Sequence, residues 1–225
     1  MLFDALPRTP SNPLPGVVHL PNFLSVEEQA ALVKQARDIA HRVKGTPVAM
    51  QRPRVGQGQM AAWLLSLGWF WQTRPYRLVR EVDGHAVPEV PANYQVIANN
   101  IMNQAREIDP LVGPTPTVET ALVNFYPPGA GMGLHVDAEE ESDNAVVSLS
   151  IGEETIFRIQ NPENTGSAEN TESKDLLLMS GDALVFGGPA RRAYHGVKAP
   201  REATGPETTG LKEGRINITM RQVHR

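Results

Sequence analysis

Hydrophobic positions along this chain repeat with two different periods, and the change falls near residue 118. Before it, Leu32, Val33, Ala36, Ile39, Ala40 and Val43 recur at the spacing of one helical face. Ser25-Val26-Glu27-Glu28 stands just ahead of them as a capping box, so a helix is predicted to open there. Tyr94, Ile97, Ile101, Ala105 and Ile108 make a second stripe, predicted to run from an Asn93 cap to about Ile108 after a Pro- and Val-containing link at 87–91. Each stripe is one-sided, which makes both helices braces against a sheet.

Beyond residue 118 the apolar runs shorten and are punctuated by Pro and Gly. Strands are predicted at 118–126, 135–137, 145–151, 155–160, 175–179, 183–186, 193–197 and 215–223. Short strands following two helices predict an α+β, mainly β fold: a jelly roll with its core at 117–223, braced on one side, within a single domain of 17–225. Residues 1–16 are rich in Pro and read as a loose, flexible arm, with a short strand at 17–20. Residues 45–85 mix Gly, Pro and Gln without a clear period and read as a loop-rich cover.

The strand after Gly214 alternates strictly. Ile216, Ile218 and Met220 fall on one face, and Arg215, Asn217, Thr219 and Arg221 on the other. Two guanidinium groups therefore enter one space, where their planar donor forks suit a small dicarboxylate. A solvated edge strand is the alternative reading. A second cluster lies in NFYPPGAGMGLHVD, residues 124–137: on a strand, His135 and Asp137 would share a face and could reach one ion. His195, in Tyr194-His195-Gly196, supplies another imidazole. Two His and one carboxylate form the set that holds non-haem Fe(II) and leaves coordination positions open. The rival is a cupin-like binding module with a structural Zn, but such sites usually have four protein ligands and the sequence offers no evident fourth.

Composition narrows these choices. The chain of 225 residues has no Cys, so a metal must be held by nitrogen and oxygen. No apolar run approaches the roughly 20 residues that cross a bilayer, and the N-terminal stretch has no basic leader, so a cytoplasmic protein is expected. The net charge of −4 conceals segregation: residues 42–80 carry seven Arg and Lys (Arg42, Lys44, Arg52, Arg54, Arg74, Arg77, Arg80) and no acid, which leaves −11 for the remainder. That stretch also holds all three Trp, and it reads either as a phosphate-facing surface or as scattered solvated Arg.

The combination N-x-Y-x(8)-H-x-D, then Y-H-G, then R-x-N-x-T-x-R resembles the AlkB family of Fe(II)- and 2-oxoglutarate-dependent dioxygenases, over roughly residues 63–222. The resemblance implies a double-stranded β-helix in which His135, Asp137 and His195 hold Fe(II). Arg215 with Tyr126 would take the distal carboxylate of 2-oxoglutarate, and Arg221, Asn124 and Asn217 its metal-bound end. With O2, the implied reaction dealkylates N-alkylated bases in DNA, preferably single-stranded or with the base flipped out, releasing an aldehyde, succinate and CO2. RNA is the other polymer it allows, and an oxygenase acting on a small molecule or protein is the alternative substrate class. A monomer with no membrane partner is expected.

The segment SLGWFWQTRPY resembles the family's nucleotide-recognition lid, which implies Trp69 against the flipped base and Tyr76 near its phosphate. Trp69 in the core is the alternative; Trp63 and Trp71 are expected there. Glu139 and Arg191 complete the implied substrate contacts, with a solvated acid among residues 139–141 the plainer reading of Glu139. The acidic loop at 161–173 departs from the basic loop expected of the family, and 200–214 reads as an insertion.

Overall fold

The computed structural model describes residues 8–73, 75–138, 140–160 and 173–225. Expectations for Met1 to Pro7, Arg74, Glu139 and most of the 161–173 loop lie outside these residues. Seven antiparallel strands form the larger sheet, in the order Ser11–Leu14, Val17–Leu20, Ala183–Phe186, Val146–Gly152, Arg215–Arg221, Thr120–Tyr126, Trp63–Leu67. Four form the smaller one: Met132–His135, Tyr194–Val197, Thr155–Gln160, Ser173–Leu178. Val146, Leu184 and Phe186 of the first pack against Phe157, Ile159 and Leu178 of the second, closing one side of the predicted jelly roll.

The strict alternation at 215–221 now has a physical outcome. Ile216, Ile218 and Met220 lie in the main apolar core, under helix α1 (Val26–Arg42) and helix α2 (Ala92–Ile108). Leu32, Val33 and Ile39 of α1 and Tyr94, Ile101 and Met102 of α2 fill the same core. Each large apolar side chain buried this way contributes about 1.5–3 kcal/mol. The braces therefore hold one face of the sheet, and the polar face is left to point between the sheets.

The Ser25 capping box forms as expected: Glu28 N donates to Ser25 Oγ at 3.2 Å and Ser25 N donates to Glu28 Oε2 at 2.8 Å. The second helix differs from expectation. Pro91 is its N-cap, and Asn93 sits one residue inside it, exchanging side-chain hydrogen bonds with Gln35 of α1 at 3.2 and 3.3 Å. Ala98 and Met102 are buried where Ile108 was expected, because the packed face is rotated toward the sheet.

Three further expectations are corrected. The cover at 45–85 contains the edge strand Trp63–Leu67 and a hairpin of Phe70–Thr73 with Tyr76–Val79. Trp63 lies outside the core, 41% exposed on that edge. The loose arm is tied down from Arg8 onward, with Ser11–Leu14 paired to Val17–Leu20 through a turn at Gly16. Gly16 has φ +79°, and a Cβ there would meet Gly187 O at 2.3 Å, so no other residue fits this close crossing. Among the described residues no helix is long and apolar enough to cross a membrane.

Asp182 anchors that N-terminal hairpin. Its carboxylate accepts two hydrogen bonds from Arg8 at 2.7 Å, one from His19 Nε2 at 2.9 Å, and backbone bonds from Asn22 and Met179. Burial alone would raise its pKa, but these donors outweigh burial and hold it at about 2. A carboxyl depressed below its unfolded value stabilises the fold above about pH 4 and loses that contribution as pH falls through about 2. Asp182→Asn is therefore expected to cost about 2 kcal/mol at pH 7. The difference from wild type should vanish near pH 2 in urea unfolding of the metal-free protein.

Candidate metal centre and its cavity

Strand pairing brings the two imidazoles together. His135 and His195 are register partners on adjacent strands of the smaller sheet, and their ring centroids are 4.4 Å apart. Each ring has its Nδ1 3.0 Å from a carbonyl two residues earlier, Gly133 O for His135 and Ala193 O for His195. A carbonyl only accepts, so Nδ1 carries the proton and donates, and Nε2 of the neutral ring keeps its lone pair. Phe157 stacks on His195 at 5.7 Å and Phe186 tilts against it at 4.9 Å, which limits its rotation.

Asp137 reaches the same point by another route. The strand ends at His135, so Asp137 is not the next alternate position of a strand as expected; it stands in the following loop. Its carboxylate lies 3.7 Å from His135 Nε2 and 3.8 Å from His195 Nε2. One ligand atom from each of the three lies within 4.8 Å of the others, and no fourth His, Asp or Glu joins them among the described residues. Burial would raise the Asp137 carboxyl, but Arg221, His195, His135 and Arg191 outweigh it and hold it well below the usual range. Burial lowers His195, keeping it neutral as a ligand must be. Two nitrogens, one oxygen and no thiolate fit a divalent metal such as Fe(II) with positions left open.

The larger sheet supplies the opposite wall as cross-strand rungs. Tyr126 faces Arg215, Asn124 faces Asn217, and Thr120 faces Arg221. Asn217 Nδ2 donates to Ser148 Oγ at 2.7 Å and to Leu149 O at 3.0 Å, which fixes the direction of its amide. Its Oδ1 then accepts from Asn124 Nδ2 at 3.0 Å and Thr219 Oγ1 at 2.8 Å. Asn124 Oδ1 is left buried without a hydrogen-bond partner.

The two arginines differ in a way the alternation does not reveal. Arg221 contacts Glu140 through Nη1, which also lies 3.5 Å from Asp137 Oδ2. Arg215 is 2% exposed, donates from Nε to Ser150 Oγ at 2.9 Å, and has its guanidinium carbon 5.4 Å from the centre of the Tyr126 ring. No carboxylate pairs with it among the described residues. Burial pulls its pKa down to about 10 and pushes the Tyr126 hydroxyl up to about 12. A buried cation lacking an anion favours a carboxylate ligand. The chemistry of this end of the cavity fits one carboxylate of 2-oxoglutarate, whereas Arg221 is already engaged by protein acids.

One cavity of about 600 Å³ joins the three ligands, Arg215 and an aromatic wall. Trp69 and Tyr76 line it, Trp69 partly buried and Tyr76 56% exposed. Arg80 lies 5.2 Å from the Trp69 ring centre, and His224 meets that ring edge-on at 5.0 Å. Trp71, expected in the core, also lines the cavity, 6.2 Å from Tyr76. Its position two residues from Trp69 was a usable signal. Arg191 does not line the cavity; it is 2% exposed and bonded to the loop behind Asp137, so its expected substrate contact is withdrawn. Glu140 was missed, because three consecutive Glu read as a solvated run, yet it is buried and lines the cavity.

The family model described as the 2OG-Fe(II) oxygenase superfamily matches residues 16–221. An AlkB homologue of Caulobacter vibrioides, named an alpha-ketoglutarate-dependent dioxygenase, is 33% identical, covering 95% of this chain and 90% of its own. A protein of Arabidopsis thaliana named DNA N(6)-methyladenine demethylase ALKBH1C is 31% identical over 92% of this chain, which spans only 48% of it. The chain thus matches about half the length of that plant relative. The solved structure of OsALKBH1 superposes with a TM-score of 0.82 at 24% identity, covering 95% of this chain and 99% of that one.

Arg215→Met keeps the length and removes the charge. Isothermal titration of 2-oxoglutarate into the Mn(II)-loaded protein should show binding weakened by about 100-fold, with Mn(II) affinity unchanged.

Proposed function

Because this chain belongs to the AlkB family of the 2OG-Fe(II) oxygenase superfamily, we propose that it oxidatively removes N-alkyl groups from nucleobases. The observation that carries the reading is a single cavity running from the His135, Asp137 and His195 cluster, past Arg215, to Trp69, Trp71 and Tyr76. Bound Fe(II), 2-oxoglutarate and O2 supply the oxidation: the N-alkyl carbon is hydroxylated and leaves as an aldehyde, while the cosubstrate leaves as succinate and CO2.

The chain's own residues orient and exclude. His135, Asp137 and His195 would hold the metal. Arg215, beside Tyr126, would take the distal carboxylate of the cosubstrate, and Asn124 and Asn217 line the cavity on the rung between Arg215 and Arg221. Trp69 offers an aromatic surface for an extruded base, a contact worth about 1–3 kcal/mol per stacked base. Tyr76, exposed at the mouth, is placed to meet the adjoining backbone.

Basic side chains support a nucleic-acid partner. Arg54 and Arg77 are exposed on two of the hairpins in the 45–85 segment, and Arg80 flanks Trp69. Together they offer a phosphate-facing rim in a chain whose net charge is −4. A monomer is the proposed working unit. DNA is the favoured polymer, with single-stranded or damaged bases the easiest to extrude.

A panel of DNA and RNA oligonucleotides carrying methylated or etheno bases, incubated with Fe(II), ascorbate and 2-oxoglutarate and read by mass, tests this. Loss of one methylene unit from a methylated base is the expected outcome. Trp69→Ala should raise KM for the oligonucleotide about 10-fold or more while succinate formed without substrate stays unchanged. Succinate formation with every oligonucleotide left intact would move the activity to a small molecule or a protein.

A further inference from the structure

The loop that carries Asp137 has no strand to hold it. The described residues between Val136 and Ala145 belong to neither sheet, although the carboxylate they present must stay aligned with two imidazoles fixed by strand pairing. The donors that hold this loop come largely from one place. Arg191 and Arg192 stand four and three residues before His195, and both reach across to it.

Arg192 Nη1 donates to the Asp137 carbonyl at 2.7 Å, and its Nη2 donates to the carbonyls of Glu140 at 3.0 Å and Ser142 at 3.3 Å. Arg191 donates from Nη1 to the same Asp137 carbonyl at 3.3 Å, from Nε to Asn144 O at 2.9 Å, and from Nη2 to Glu140 Oε2 at 3.3 Å. Two guanidinium groups thus converge on the peptide oxygen of a metal ligand. Glu140 extends the connection, since its other carboxylate oxygen holds Arg221 on the cavity floor.

We propose that Arg191 and Arg192 form a strap that positions Asp137 for metal binding, so the segment bearing His195 also sets the geometry of the carboxylate ligand. Neither guanidinium touches the metal ligands' coordinating atoms, which makes both arginines positioning residues. The inference rests on the metal-centre assignment and goes beyond it. Charge-assisted bonds to a carbonyl restrain rotation of the peptide that follows Asp137, and the side chain turns with its backbone. Outer partners of this kind typically change metal affinity by about 10- to 100-fold when removed.

Arg192 is the better probe, because its side chain is 34% accessible whereas that of Arg191 is 2%. Arg192→Met keeps the bulk and loses every donor; Arg192→Lys keeps the charge with a single donor head. Asp143→Asn is the control, since it removes only the exposed carboxylate partner of Arg192, 3.0 Å away. Mn(II) is titrated into each metal-free 225-residue protein, with free Mn(II) followed by electron paramagnetic resonance and the metal-free melting temperature recorded alongside.

The strap predicts an Mn(II) Kd raised about 10- to 100-fold in Arg192→Met, an intermediate value in Arg192→Lys, and a wild-type value in Asp143→Asn. A Kd within about twofold of wild type in Arg192→Met, whatever its melting temperature, overturns the strap and leaves Arg192 a structural residue; this is well below the shift expected of an outer partner. Should Arg192→Met fail to fold, Arg192→Lys decides: a raised Kd supports the strap and an unchanged one overturns it. Wild-type protein that binds no Mn(II) would instead remove the metal centre itself.

Discussion

A guanidinium buried beside a cavity, with no acid of its own among the described residues, is the constraint to which the rest of this structure answers. Arg215 is 2% exposed and depends on Ser150 and the Tyr126 ring for its nearest partners. Leaving a charge so poorly compensated costs several kcal/mol, and folded proteins accept that only when the surrounding packing is strong. Here the compensation lies on the other face of the same strand. Ile216, Ile218 and Met220 are locked beneath two helices, so the backbone that carries Arg215 cannot turn to let it reach water.

The division of labour between the two arginines follows from their neighbours. Arg221 lies beside the metal end of the cavity, where Glu140 and Asp137 already surround it with negative charge. Arg215 lies at the far end beside a phenol that burial keeps neutral. The two ends of the cavity therefore differ in charge: one cation has no acid of its own among the described residues and the other is held by acids. The Asn124–Asn217 rung between them has its polarity fixed by a backbone carbonyl, so the floor of the cavity is organised before any ligand arrives.

How much of this could be read in the sequence depended on whether a local pattern carried it. The period-two run at 215–221 gave both faces of its strand correctly, because each face is chemically uniform. His135 and His195 were found by residue type, although the sequence could not show that they are register partners. Trp63–Leu67 was missed as a strand because residues 64 to 67 are buried on both faces, so Leu64-Leu65-Ser66-Leu67 shows no regular alternation of apolar and polar positions. Ser11–Leu14 was hidden by Pro13 and by Pro10 and Pro15 on either side. Arg191 was assigned to substrate from resemblance, whereas its donors are spent on carbonyls up to 54 positions away, and sequence does not encode such contacts locally.

The placement of Asp137 outside the strand bears on how the site tolerates change. Ligands on paired strands are fixed by register, and a one-residue slip would turn them to the opposite face. A carboxylate on a loop is fixed instead by the donors that hold the loop, and here those donors precede His195 in the chain. The donors from Arg191 and Arg192 lie outside the hairpins at 54–59 and 70–79, which contribute residues to the cavity lining. Those hairpins carry Tyr76 and Trp71, while Trp69 sits at the base of the second. The cover can then vary in sequence while the three-residue cluster beneath it stays the same.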